Sequence, residues 1–385
     1  MELFLTHACN LACGYCYNGR HFRRAMPREV MVAAIDLAFA RGTGPLQVGF
    51  FGGEPLIEQG LVREGVRLCR EASARTGRQV RFQMTTNGTL LCGDRLDFVA
   101  AEGFRVAVSL DGPADVHDRA RPYAGGRGSH ARVVRNIVAA RGRVRSLSVA
   151  CVLGPASLDR AREVVEQGPS LGVRTVHLSL DYHAHWRRAD LARLPGALGA
   201  VGDAWVDAYR RGEPIALPLL DAKVARHVLA PLVAFGRCAC GDAEWTVAPS
   251  GRIYPCDRLV GEDDGTEAVI GDVRNGIDDA AQARFLACHR GTPPRCAKCR
   301  DVSRCLFWAS CVRHALDGRV DGEPSPFLCR LERAVIAAAD RAATTLFEER
   351  NEAFLDRFYR GPLARRALEG LGVKPETITT IASES

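Results

Sequence analysis

At 385 residues the chain is long enough for one large domain and a smaller one, and its 47% hydrophobic and 25% charged content is ordinary for a soluble globular protein. No apolar run approaches a bilayer span and no signal peptide precedes the first strand, so a membrane protein is excluded and a cytoplasmic one expected. The net charge of +7 comes from arginines scattered along the chain (Arg23, Arg24, Arg187 and Arg188 among them), which reads as solvated surface and predicts neither a nucleic-acid nor a membrane partner.

The first predicted element is the apolar strand Leu3–Thr6, and directly after it stand Cys9, Cys13 and Cys16 in the spacing C-x3-C-x2-C. Fifteen cysteines in a large chain without export signals point to metal ligation rather than disulfides. Three thiolates are one short of a closed tetrahedral zinc site or a fully protein-ligated iron–sulfur cluster. A cubane held by three cysteines leaves one iron open to a non-protein ligand. A zinc knuckle borrowing a fourth ligand, or three unrelated buried cysteines, are the bland alternatives.

Short strands then alternate with amphipathic segments as far as residue 182, the pattern of parallel β/α units. The predicted strands are Gln47–Phe51, Arg81–Thr85, Arg105–Ser109, Ser148–Val152 and Thr175–Leu180. The predicted helices are Pro27–Arg41, Gln59–Thr76, Ala131–Ala140 and Ser157–Gln167. The polar and glycine-rich turns follow the strands, on the face where β/α barrels assemble their sites. They are Phe51-Gly52-Gly53-Glu54-Pro55, Thr85-Thr86-Asn87-Gly88, and Ser109-Leu110-Asp111-Gly112-Pro113 with His117, Arg119 and Arg121 beyond. Glycines at Gly52 and Gly53 let the backbone approach a ligand closely.

The cysteine triplet and these turns, in this order, resemble the radical S-adenosylmethionine (SAM) family. The resemblance implies an α/β fold, a partial (β/α)6 TIM-like barrel over residues 1–183. It also implies a 4Fe–4S cluster on Cys9, Cys13 and Cys16 whose open iron chelates SAM. The cofactor-binding set it carries over is Tyr15, Gly52, Gly53, Glu54, Asn87, Ser109, Arg121 and Tyr182. In that set the GGEP backbone holds the SAM amino group, Ser109 lies near the ribose and carboxylate, and Arg121 lies on the carboxylate. A surface arginine is the plain reading of Arg121.

After a helical linker over 184–237, with helix over Pro214–Phe235, a second cysteine set begins. Cys238 and Cys240 precede a predicted hairpin, Glu244–Pro249 and Arg252–Pro255 about the turn Ser250-Gly251, which leads to Cys256. Cys296, Cys299, Cys305, Cys311 and Cys329 follow. This resembles the SPASM extension of radical SAM enzymes, a small Cys-rich domain with a β-hairpin and helices over 238–330, with a helical tail over 331–385. The resemblance implies two auxiliary 4Fe–4S clusters. One takes Cys238, Cys240, Cys256 and Cys311, and the other Cys296, Cys299, Cys305 and Cys329. Five residues separate Cys305 from Cys311 where the family has three, which leaves open whether Cys311 or Cys288 completes a cluster. Structural zinc is the rival for this set. Cys69, Cys92, Cys151 and Cys288 are expected to be inert thiols without partners. Asp257, in YPCD, matches the catalytic base of anaerobic sulfatase-maturating relatives; a turn-capping aspartate or a pair with Arg258 is the alternative.

The function implied is an oxidoreductase that cleaves SAM reductively to a 5′-deoxyadenosyl radical and oxidatively modifies a peptide or protein side chain. It is a maturase of ribosomally made peptides, forming a crosslink, a thioether or a dehydrogenated residue. The alternatives are an anaerobic sulfatase-maturating enzyme forming formylglycine, a radical SAM enzyme on a small biosynthetic molecule, and a non-enzymatic Fe–S electron carrier. Phe51 replaces the glutamine of the sulfatase maturases. The expected partners are the peptide or protein substrate and an electron donor such as flavodoxin or ferredoxin. With no recognition extension before the barrel, a leader peptide is expected to bind elsewhere or on a separate leader-peptide-binding protein.

Overall fold

The computed structural model describes residues 1–229, 238–305, 324–362 and 364. The apolar runs of the front half form six strands: β1 (Glu2–Phe4), β2 (Leu46–Phe51), β3 (Val80–Thr86), β4 (Arg105–Ser109), β5 (Ser146–Leu153) and β6 (Val176–Leu180). Each pairs in parallel with the next. Parallel strands need long crossovers, and helices supply most of them: α1 (Arg28–Ala40), α2 (Gln59–Thr76), α3 (Gly93–Ala101), α4 (Ala114–Ala120), α5 (His130–Ala140) and α6 (Ala161–Ser170). Phe50, Phe82 and Phe104 pack ring against ring in the core beneath β2–β4, with centroids 5.4 to 6.2 Å apart. The strand row stays open, because β6 ends the sheet and does not pair back to β1. The result is an unclosed, barrel-like α/β fold.

Several predicted boundaries shift for local reasons. Strand β1 stops at Phe4, because Thr6 turns away to bridge Ala25. Pro155 opens a 3-10 turn over Pro155–Arg160, so α6 starts four residues later than its pattern suggests. Helices α3 and α4, too short to show a clear period, were not anticipated.

The back half adds α7 (Arg188–Arg210) and α8 (Pro218–Leu229), so much of the expected linker is long helix. Residues 230–235 of the predicted helix lie outside the described residues. The expected hairpin forms as β7 (Thr246–Val247) and β8 (Arg252–Tyr254), continued by β9 (Gly271–Asp272) and β10 (Gly276–Ile277). Strand β7 pairs in parallel with β1, so this Cys-rich segment extends the barrel's own sheet. Ser250 and Tyr254 donate to the buried Asp263 carboxylate and pin the hairpin. Then follow α9 (Asp279–Arg290), α10 (Pro294–Ala297), α11 (Pro326–Glu348) and α12 (Glu352–Phe358). Gly202 of α7 lets Ala338 and Ala342 of α11 come close, and Trp205 and Tyr209 stack edge-on against Phe354. Among the described residues no helix is long and apolar enough to cross a membrane.

Candidate active site

The strand ends β2–β6 and the loop after β8 enclose one cavity of about 290 Å³. Cys9, Cys13, Cys16, Tyr15, Gly52, Gly53, Asn87, Ser109, Arg121, Tyr182 and Asp257 all line it. Glu54 does not. Its fully buried carboxylate accepts from Leu56 N, Thr86 Oγ1 and Asn87 N at 2.7 to 3.1 Å and so ties two turns together behind the wall. Burial raises Glu54 to about 6 against these donors. The glycines also have a use beyond the one expected. A Cβ on Gly52 would come 2.6 Å from the Thr6 carbonyl, and one on Gly53 would overlap the carbonyl of Ala8. Their smallness lets the turn pack on the segment that launches the cysteine loop.

Donors surround the three leading sulfurs. Leu11 N lies 3.5 Å from Cys9 Sγ, Asn87 Nδ2 3.8 Å from the same atom, Arg121 Nη1 3.8 Å from Cys13 Sγ, and His21 Nε2 3.5 Å from Cys16 Sγ. Donors around sulfur fit thiolates bound to a metal cluster, whose potential they help to set. Burial pushes the Cys9 thiol up to about 12, so without a metal it keeps its proton.

Arg121 is buried rather than a surface residue, and a network fixes it. Its Nε donates to Asp111 Oδ2 at 3.0 Å, Tyr15 Oη donates to the same oxygen, and its guanidinium stacks over the Tyr15 ring. Asp111 N donates to His117 Nδ1 (3.2 Å), which assigns the proton to Nε2, facing Ser129 Oγ at 3.0 Å. Ser129 Oγ in turn donates to the Arg121 carbonyl (2.6 Å). Burial and the neighbouring guanidinium lower His117 to about 3, so this ring is neutral. Arg119, by contrast, is exposed and lines a separate cavity of about 360 Å³.

Asp257 opens a short 3-10 turn, and its Oδ2 accepts from Tyr17 Oη at 2.8 Å. It neither caps that turn nor forms an ion pair with Arg258 among the described residues; Arg258 lies instead over the Tyr17 ring. Tyr17 stacks on Phe51. Sequence reasoning missed Tyr17, although it follows Cys16 directly. It also missed Asn18, which is 7% exposed; Nδ2 donates to Gly52 O while Oδ1 has no partner. His177, Asp181 and Cys151 line the cavity as well. Cys151, expected to be an inert thiol, is buried on β5, which carries it to the cavity wall.

Cys296, Cys299, Cys305 and Cys329 converge on a second cavity of about 40 Å³. Behind it the buried Lys223 and Glu332 form an ion pair, and Lys223 Nζ donates to Arg304 O at 2.9 Å. Cys240 is buried and Cys256 half-buried beside Asp257, while Cys311 lies outside the described residues. Cys92 is not without a partner, since Arg132 Nη2 lies 3.6 Å from its sulfur. Nor is Cys288, which is half-buried on α9.

Residues 3–168 match the Radical SAM superfamily model. The chain thus carries a radical SAM domain over these residues. It is 31% identical over 263 residues to a PqqA peptide cyclase of Ruegeria pomeroyi, covering 66% of each chain. It is 30% identical over 137 residues to a cysteine-type anaerobic sulfatase-maturating enzyme of Clostridium novyi, covering 34% of this chain and 36% of that one. The chain spans less than two thirds of the length of either relative. Among solved structures, native anSMEcpe with bound AdoMet and a Cp18Cys peptide superposes with a TM-score of 0.75 at 18% identity, over 89% of this chain and 97% of that one. Streptococcus suis SuiB bound to its precursor peptide SuiA gives a TM-score of 0.62 at 16% identity, over 85% of this chain and 75% of that one. At these identities the two structures establish the radical SAM fold.

Proposed function

We propose that this chain is a radical SAM/SPASM enzyme that oxidatively modifies a side chain of a peptide or protein. The observation that carries the reading is the single cavity shared by three cysteines, a glycine turn, a buried arginine and the Asp257 carboxylate. The relatives named for peptide cyclisation and sulfatase maturation, and the solved complexes holding peptides, support a peptide as the substrate.

Cys9, Cys13 and Cys16 would hold a 4Fe–4S cluster, with SAM at the Gly52–Gly53 turn, Ser109, Asn87 and Tyr182. When bound, the reduced cluster would supply the one electron that cleaves SAM to methionine and a 5′-deoxyadenosyl radical able to take a hydrogen atom from the substrate. Arg121, held through Asp111, Tyr15 and His117, presents a fixed cation to the SAM carboxylate. Phe51 and Tyr17 wall the cavity with rings and exclude water. Asp257, oriented by Tyr17, accepts the substrate proton at Oδ1 or Oδ2.

Cys296, Cys299, Cys305 and Cys329 ring a void, which suits a cluster; a zinc ion would need four ligand atoms about 2.0–2.3 Å from one point. Cys238, Cys240, Cys256 and Cys311 would hold the other auxiliary cluster next to Asp257 and take the electron released from substrate. Cytoplasmic location, a flavodoxin- or ferredoxin-class donor and a separate leader-binding protein belong to the same reading. Formylglycine formation is the second reading, favoured by Asp257 standing in the cavity. Co-expression with a short peptide encoded beside this chain, read by mass spectrometry, separates the two by the mass change.

A further inference from the structure

A second, open cleft of about 420 Å³ is lined by Asn10, Thr89, Tyr123, Arg127, Arg132 and Arg135. All three arginines are exposed, and none has a carboxylate partner among the described residues. Asp118, on α4, is committed to the backbone N–H groups of Ser129 and His130. One turn beyond Arg135 on the same helix stands Val138, 48% exposed and one of two large exposed apolar side chains among the described residues. Three exposed arginines on one cleft, with an exposed valine at its edge, give a basic surface complementary to an acidic protein partner.

The floor of this cleft leads to the first cysteine. Asn10 follows Cys9 in the chain; its Nδ2 donates to Thr89 Oγ1 (2.9 Å) and its Oδ1 accepts from Asn87 Nδ2 (2.8 Å). Asn87 Nδ2 also lies 3.8 Å from Cys9 Sγ and lines the main cavity. Two hydrogen-bond steps therefore join the cleft to the three-cysteine site. We propose that the cleft is the docking site for an acidic protein carrying a one-electron redox group, which reduces the cluster held by Cys9, Cys13 and Cys16. The inference rests on the radical SAM reading above. One electron leaves the partner, oxidising its redox group by one, and one electron reduces the cluster; no bond forms or breaks at this step.

The test uses the reconstituted full chain and the double variant Arg127→Glu/Arg135→Glu, which leaves Arg132 and its bond to Thr89 in place. Deoxyadenosine formation is driven either by dithionite or by a titrated, enzymatically reduced flavodoxin as the acidic probe. The variant should keep its dithionite rate within about 2-fold and need roughly 10-fold more flavodoxin for half-maximal rate, and added salt should slow the flavodoxin-driven wild type. Val138→Ser, which keeps the charges, should raise the flavodoxin requirement by about 3-fold. An unchanged flavodoxin titration in the double variant overturns the proposal. So does a variant that makes deoxyadenosine normally from flavodoxin yet no longer modifies its peptide, because the cleft would then serve substrate. Wild type that makes no deoxyadenosine even from dithionite removes the radical SAM reading itself.

Discussion

Tyr17 and Asp257 lie 240 residues apart in sequence, yet the phenol of one donates to the carboxylate of the other across 2.8 Å. The contact joins the loop of the leading cysteines to the hairpin that carries Cys256. It places a carboxylate at the cavity wall with Oδ2 held by Tyr17 and Oδ1 accepting from Cys256 Sγ at 3.1 Å. If Asp257 is the base, Asp257→Asn keeps shape but cannot accept a proton. Deoxyadenosine should still form while modified product falls about 100- to 10,000-fold. Tyr17→Phe removes one neutral-to-charged hydrogen bond and should cost product about 10-fold, with deoxyadenosine again spared. Full product from the asparagine variant would remove Asp257 from the chemistry.

Arg121 and Arg119 are two residues apart and face different cavities, so their variants should behave differently. Arg121→Ala should weaken SAM binding about 10- to 100-fold, the range expected for losing a charge-assisted contact. It also strands the buried Asp111 carboxylate, at a stability cost of about 3–5 kcal/mol. Arg121→Lys, which keeps the charge and loses the fork, should bind SAM with intermediate affinity and remain folded. Arg119→Ala should leave SAM affinity unchanged. Isothermal titration of the four proteins ranks them, and the reverse order of Arg119 and Arg121 would move the carboxylate site.

Much of this architecture is legible in the chain because parallel strands are buried on both faces and read as apolar runs. The span of α2 follows its pattern residue for residue, and the cavity-facing turns sit where glycine and serine motifs end the strands. What the sequence hides is who consumes whom. Glu54 looks like a ligand-facing carboxylate until its three donors are seen, and Arg121 looks like any exposed arginine until Asp111, Tyr15 and His117 enclose it. The glycines of the GGEP turn give way to Thr6 and Ala8 as well as facing the cavity. Pairing such as Tyr17 with Asp257, or β7 with β1, spans more than 200 residues and leaves no local signal.

The convergence of Cys296, Cys299, Cys305 and Cys329 on one cavity predicts an iron count. Reconstituted chain should bind about twelve irons, and alanine at any of the four should lose about a third of that. Cys288→Ala should retain it. Stoichiometric zinc with iron near four would overturn the auxiliary assignment.

A pH effect should come from the first strand. Glu2 is half-buried beside Gln83 and is raised to about 7, mainly by desolvation. An acid whose folded pKa exceeds its unfolded value lends stability fully below the unfolded value, and that contribution is lost as pH rises through about 7. From pH 6 to 8 the wild-type melting temperature should therefore fall more than that of Glu2→Gln. Equal slopes for the two proteins would show that Glu2 is ionised throughout.

The central claim is that Cys9, Cys13 and Cys16 serve SAM cleavage in the cavity that receives a peptide. The most direct measurement is deoxyadenosine from SAM under anaerobic reduction, quantified together with the mass of a co-supplied peptide encoded beside this chain. The wild type should yield deoxyadenosine and a peptide altered in mass. The Cys9→Ala/Cys13→Ala/Cys16→Ala variant should yield neither while keeping about two thirds of its iron. Deoxyadenosine from the triple variant, or none from an iron-replete wild type, would contradict the account.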